Sequence, residues 1–179
     1  MHAWIVVLIL FASLGLVVFC YVGYPLLMMA MARSQARPVQ ASDWLPSVDV
    51  IVAVHNASDS VIAKIDNLLA LDYPVDRLHL RIGSDGSDDD TVEQVHAYLT
   101  RHSLQSRVSI AEFAQRRGKS ACLADLIAQS DADIVFFTDV RQRIESCALK
   151  ALVRPLADPM IGAVSGELMF ENADGFAAS

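Results

Sequence analysis

Four polar clusters in this chain hold side chains capable of chemistry, and each closes a short apolar run. Asp139 and Arg141 lie in Thr138-Asp139-Val140-Arg141-Gln142-Arg143, directly after Ile134-Val135-Phe136-Phe137. His55 and Asn56 follow Val48–Val54, Asp85 lies in Gly83-Ser84-Asp85-Gly86-Ser87, and Arg116, Arg117 and Lys119 follow Val108–Phe113. A buried strand that delivers a carboxylate at its C-terminal end puts it at a crevice, where open parallel sheets bind ligands. A solvated turn is the plainer reading of any one cluster, and the repetition at several strand ends argues against it. The basic loop with Gly118 at a helix start suits an anionic phosphate, although its spacing is not that of the phosphate loop of nucleoside triphosphatases.

The elements that must position these clusters alternate in type. Val48–Val54 reads as a strand, followed by a helix with apolar positions Val61, Ile62, Ile65, Leu68 and Leu69, capped by Ser58 and stopped by Asp72-Tyr73-Pro74. Residues 78–82 form a second strand. Ser87 with Asp90 makes a start resembling a capping box for a helix through Val92, Val95, His96 and Leu99. Asp88, Asp89 and Asp90 suit the positive end of that helix, with a metal site as the other reading, and His96 is a helix-face residue. Val108–Phe113 is a third strand, leading to a helix through Ala121, Leu123, Leu126 and Ile127. After the buried central strand at 134–137, Ser146 caps a helix that stops at Arg154-Pro155, and residues 161–170 read as further strand. Strand and helix in alternation predict an α/β fold on a parallel sheet with right-handed crossovers.

At 179 residues the chain has room for one domain with a sizeable core. Its hydrophobic content of 54% is concentrated locally, because residues 3–32 contain no Asp, Glu, Lys or Arg. That run exceeds the roughly 20 residues needed to span a bilayer, lacks a basic leader, and is longer than the apolar region of a signal peptide. We therefore expect a transmembrane helix over 3–32, a linker over 33–46, and a domain over 47–179. Arg33 and Arg37 follow the apolar run, which places the domain in the cytoplasm as the soluble part of a single-pass inner-membrane protein. The formal net charge of −7 argues against a nucleic-acid partner. Cys20, Cys122 and Cys147 are too scattered for a disulfide framework or a zinc site.

Six segments in order, VDVIVAVHN, LLALDYP, GSDGSDDDT, RRGKSACL, ADIVFFTDVRQR and ADPMIGAVSGEL, resemble the inverting glycosyltransferases of family 2. The preceding YVGYP resembles membrane-attached members. The resemblance implies a Rossmann-like GT-A sheet that binds nucleotide sugars, here a truncated N-terminal portion preceded by one transmembrane helix. It implies inverting transfer from a nucleotide sugar, by family habit a UDP-sugar, to a polysaccharide or lipid-linked acceptor. By match, His55, Asn56 and Asp85 contact the nucleoside, and Arg117 and Lys119 lie beside the nucleotide. Asp139 matches the first carboxylate of the DxD motif, near the ribose and a divalent Mg²⁺ or Mn²⁺. Arg141 stands where the second carboxylate is usual, and a guanidinium there would contact the diphosphate directly, reducing reliance on metal. Ala57 replaces the usual acidic residue after the first strand, Ser84 the first Asp of DDGS, and Ala124 an Asn. The family's catalytic base is expected beyond Ser179, or on a partner chain completing the site. The alternative is a non-catalytic membrane-bound module that binds nucleotide or a partner. A dinucleotide-dependent reductase is disfavoured, since no GxGxxG follows the first strand.

Overall fold

The computed structural model describes residues 3–34, 37–167 and 169, in two units, Met1–Val39 and Gln40–Ser179. In the first, α1 (Ala3–Val18) passes through a π-helical turn at Phe19–Gly23 into α2 (Tyr24–Ser34). The wider turn closes with the Tyr24 N–H donating to the Phe19 carbonyl, immediately ahead of Pro25. Proline has no N–H to continue a regular ladder, and its ring crowds the carbonyl four residues back. The continuous helix Ala3–Ser34 is long and apolar enough to cross a membrane. It is apolar on all sides and its described side chains are outward-facing, which is the character of a lipid-facing span.

The second unit is built on four parallel strands: β1 (Val48–Val54), β2 (Leu78–Asp85), β3 (Val108–Phe113) and β4 (Ile134–Phe137). Their order is β3-β2-β1-β4, with Val48 opposite both Leu78 and Ile134 and Leu80 opposite Val108. The inner strands β1 and β2 are covered on both faces, so they need the near-continuous apolar run that VDVIVAV supplies. Val48, Val50, Val52 and Val54 share one face with Leu78, Leu80 and Ile82. Packed there are Val61, Ile65 and Leu68 of α3 (Val61–Leu69), Val95 and Leu99 of α4 (Thr91–His102), and Leu149 and Val153 of α6 (Ala148–Val153). Ile51 faces the other way, against Cys122 and Leu126 of α5 (Lys119–Ile127). On that face the buried Asp49 carboxylate meets the Arg81 guanidinium and the Ser130 hydroxyl. Crossovers of one hand carry β1 to β2 to β3 in one direction, and the return to β4 must place α5 on the opposite face. The reversal between β1 and β4 is where a sheet of this kind opens a crevice at its carboxyl ends.

Several local expectations are corrected. β4 is an edge among the described strands, not a buried central one, and Phe137 is half exposed because only β1 pairs with it. β2 continues past Ile82 to Asp85, since Gly83, Ser84 and Asp85 remain paired with β3. Ser60, not Ser58, precedes α3, and the Ala57 carbonyl accepts the Ser60 and Val61 amides. Asp90 precedes α4 in place of Ser87, whose hydroxyl is turned toward Asn56 and Ser84. Cys147 precedes α6, while the Ser146 carbonyl accepts the Asp72 amide. Residues 161–167 contain no strand, and the rest of the strand expected over 161–170 falls largely outside the described residues. The segment expected as linker is partly strapped to the second unit: the Gln40 amide donates to Asp158 and the Tyr73 hydroxyl to the Pro46 carbonyl.

Helix α5 lies so close to β2 that a Cβ on Gly83 would sit 2.4 Å from the Cys122 sulfur and 2.8 Å from Leu126 Cδ1. Gly83→Ala is therefore expected to destabilise the second unit by about 1–3 kcal/mol through overpacking. A lower urea midpoint for the purified chain checks this, and an unchanged midpoint would mean that α5 lifts off without cost.

Candidate functional site

Asp85 ends β2 with its side chain buried. Its two oxygens accept the backbone amides of Arg117 and Gly118, each at 2.8 Å. The Arg117 amide foremost holds the Asp85 carboxyl below its ordinary range; desolvation opposes and the Gly118 amide assists. The next residue allows the loop to approach. Gly86 has φ +64°, and a Cβ there would lie 2.6 Å from the Arg116 nitrogen. Thus the basic loop is clamped onto the turn after β2. The Arg117 guanidinium itself pairs with Asp125 and lies 4.7 Å from the centre of the Phe113 ring.

His55 follows β1 and its Nδ1 lies 2.9 Å from the Asp85 carbonyl. A carbonyl only accepts, so Nδ1 carries the proton and Nε2 is left as an acceptor in the neutral ring. Asn56 is held at φ 49°, and its side-chain amide is engaged with Asp88 in both senses, donating from Nδ2 and accepting the Asp88 amide at Oδ1. The Ala57 amide donates to Thr91 Oγ1 and the Ser58 amide to Asp89. Asp89, bonded foremost by the Thr91 hydroxyl, is pulled down to about 2. Asp88 and Asp89 therefore staple the loop after β1 to the loop after β2. No group of three or more His, Cys, Asp or Glu among the described residues is arranged to hold a metal ion.

Asp139 stands just past β4, with Lys119 Nζ donating to its Oδ2 at 3.0 Å across from α5. That bond is the main reason its carboxyl lies below the ordinary range. The Asp139 amide donates to Gln142 Oε1, and the Arg141 amide approaches Asp139 Oδ1 at 3.4 Å. A cavity of about 400 Å³ opens between the ends of β1 and β4, lined by Ala53, Val54, His55, Asp139, Val140, Arg141 and Gln142. The structure thus brings together His55, Asp139 and Arg141 at one opening, with Lys119 attached through Asp139. Asn56, Asp85 and Arg117 instead hold the loops around it.

Two residues absent from the sequence-derived set shape this opening. Lys64 Nζ donates to Thr138 Oγ1 at 2.9 Å and to the Gln142 carbonyl at 2.5 Å. Asn67 donates to the Ile144 carbonyl and accepts the Ile144 amide, both at 2.8 Å. The signal for Lys64 was its position on the apolar face of α3 beside Val61, Ile65 and Leu68, where a charge needs a partner.

The family model described as Glycosyl transferase family 2 matches residues 49–178. A beta-monoglucosyldiacylglycerol synthase of Synechocystis is 31% identical over 142 residues, covering 76% of this chain and 29% of that protein. An N-acetylglucosaminyltransferase of Azorhizobium caulinodans is 27% identical over 130 residues, covering 72% of this chain and 32% of that protein. Among solved structures, a mannosyltransferase from Pyrobaculum calidifontis in complex with GDP-Man and Mn²⁺ superposes with a TM-score of 0.68 and 28% identity, covering 80% of this chain and 43% of that one. TarS of S. aureus, solved with UDP-GlcNAc, shares the fold at a TM-score of 0.53 and 22% identity, covering 60% and 31%. The chain spans about a third of the length of the curated relatives it matches.

The staple at Asp89 makes a pH prediction. Its folded pKa of about 2 lies below the ordinary 3.8, so its contribution is complete above about 4 and is lost as pH falls toward about 2. Asp89→Asn is expected to lower the urea midpoint at neutral pH, with the gap to wild type closing across that acid window. A gap of constant size down to the lower limit would show that the charge of Asp89 contributes nothing.

Proposed function

This chain belongs to glycosyl transferase family 2, and on that premise we propose that its second unit binds the nucleoside diphosphate of a sugar donor in the cavity between β1 and β4. The full enzyme would transfer the sugar, with inversion, to a polysaccharide or lipid-linked acceptor at a membrane. The observation that carries this reading is the convergence of His55, Asp139 and Arg141 on one cavity, with the Lys119 ammonium on the Asp139 carboxylate. Nucleotide-sugar binding needs acceptors for base and ribose and cations for two phosphates, and this opening has both kinds of group. A UDP-sugar is the favoured donor by the habit of the family, and N-acetylglucosaminyltransferases among the curated relatives favour N-acetylglucosamine as its sugar. Support for the membrane comes from the apolar helix Ala3–Ser34, and Arg33 and Arg37 favour a cytoplasmic side for the second unit.

His55 Nε2 would accept a donor hydroxyl or N–H, its tautomer set by the Asp85 carbonyl. Asp85 acts by fixing the basic loop, and a nucleobase would have to share a carboxylate already bonded twice. Lys119 and Arg141 would face the diphosphate. The donor set offers a divalent ion one carboxylate: Asp139 Oδ2 is paired with Lys119, and Oδ1 carries the long Arg141 amide contact. Mg²⁺ and Mn²⁺ accept such a site when phosphate oxygens and water complete their shell. When bound, that cation supplies positive charge to the leaving diphosphate.

Titration of the purified full chain with UDP-GlcNAc, with GDP-Man as competitor, tests the reading. Asp139→Asn is expected to weaken binding roughly tenfold, equivalent to about 1.4 kcal/mol; unchanged affinity would remove Asp139 from the site. Addition of EDTA is expected to lower the affinity, and equal binding with and without it would leave Arg141 and Lys119 to neutralise the diphosphate.

A further inference from the structure

Helix α3 grips the loop of Asp139 from beneath, and we propose that Lys64 is a positioning residue for the donor site, fixing Asp139 through Thr138 and the Gln142 carbonyl. The proposal rests on the donor-binding reading above and assigns that site a part no motif supplies. Lys64 is 4% exposed and sits among Val61, Ile65 and Leu68. An ammonium in such a place is costly, and an apolar side chain of the same size would pack there without that cost. Burial accordingly depresses its pKa to about 8, against the opposing pull of Asp139. What the charge provides is a pair of bonds to residues 138 and 142, which flank Asp139 on either side.

Beyond these bonds the loop is held by Val140 and Ile144, which pack partly buried against the core, and by the pair of Lys119 with Asp139. Phe137 just before it is half exposed, and Arg141, Gln142 and Arg143 are exposed. Inside the turn, the Gln142 amide donates to the Asp139 carbonyl and the Asp139 amide to Gln142 Oε1. This makes residues 139–142 a small closed unit whose placement depends on outside anchors. Lys64 holds its base, and Asn67, one helical turn on, grips Ile144 through both amide groups. Asp139 then faces Lys119 from a fixed direction, as a ligand-binding carboxylate must.

The test uses the full chain in detergent, comparing wild type, Lys64→Met, Asn67→Ala, and Lys64→Met combined with Asp139→Asn. Amide hydrogen exchange over residues 139–144, UDP-GlcNAc affinity and the urea midpoint are read together. In Lys64→Met we expect exchange of that segment to accelerate, and donor affinity to fall, by about tenfold or more, as befits loss of a charged donor. Exchange in β2 should stay at the wild-type rate. Combined with Asp139→Asn, the methionine should weaken binding no further, because both changes act through one carboxylate. Wild-type exchange over 139–144 in Lys64→Met, or additive losses of affinity, would overturn the proposal. Should Lys64→Met fail to fold, Asn67→Ala decides it: faster local exchange with weaker binding supports anchoring from α3, and neither change refutes it. If the wild type binds neither UDP-GlcNAc nor GDP-Man, the donor reading has failed, while the exchange arm still decides whether Lys64 holds the loop.

Discussion

Backbone amides of several loops converge at the carboxyl edge of the parallel sheet, and their need for hydrogen-bond acceptors governs what is built there. Strand pairing ends at that edge, so partners have to come from side chains. Asp85 takes the amides of Arg117 and Gly118, Thr91 that of Ala57, and Asp89 that of Ser58. Asn67 takes the Ile144 amide. The loops after β1, β2 and β3 become one cross-linked rim, and the loop after β4 joins it through Lys119 and through α3.

This division of labour explains why only some of the polar residues at the strand ends face the cavity. Asn56, Asp85, Asp88 and Asp89 look inward to the rim, whereas His55, Asp139 and Arg141 line the opening. The chain as a whole carries a net charge of −7, yet the Lys119 ammonium sits on the Asp139 carboxylate, Lys64 bonds to the loop that carries it, and Arg141 lines the same opening. Local placement of charge, not the total, sets which ligand the site favours.

Much of the architecture was legible in the pattern of residues. The runs VDVIVAV and IVFF and the segment at Val108–Phe113 became strands with the expected bounds, and the family resemblance agrees with the match over residues 49–178. The helix starts depart from the expected caps for a common reason. Ser87 and Ser146 were expected to cap the helices that follow, but the Ser87 hydroxyl and the Ser146 carbonyl are used by chain segments far away in sequence. Capping rules weigh only near neighbours, while a side chain or carbonyl at a crowded rim goes to whichever partner the fold brings nearest. Similarly, IVFF has the composition of a buried strand, but its burial depends on how many strands flank it.

The sequence by itself determined the apolar span at the N-terminus, the parallel α/β character, and the polar clusters at strand ends, because periodicity and strand-forming composition act over a few residues. Tertiary structure alone decided which of those clusters face the cavity and which are tied into the rim. It also decided that a lysine on the apolar side of α3 finds its partners in the loop of Asp139. Such pairings join residues about 30 to 80 positions apart, a separation at which one-dimensional spacing has no bearing on distance, and only the strand order and register bring the groups into contact.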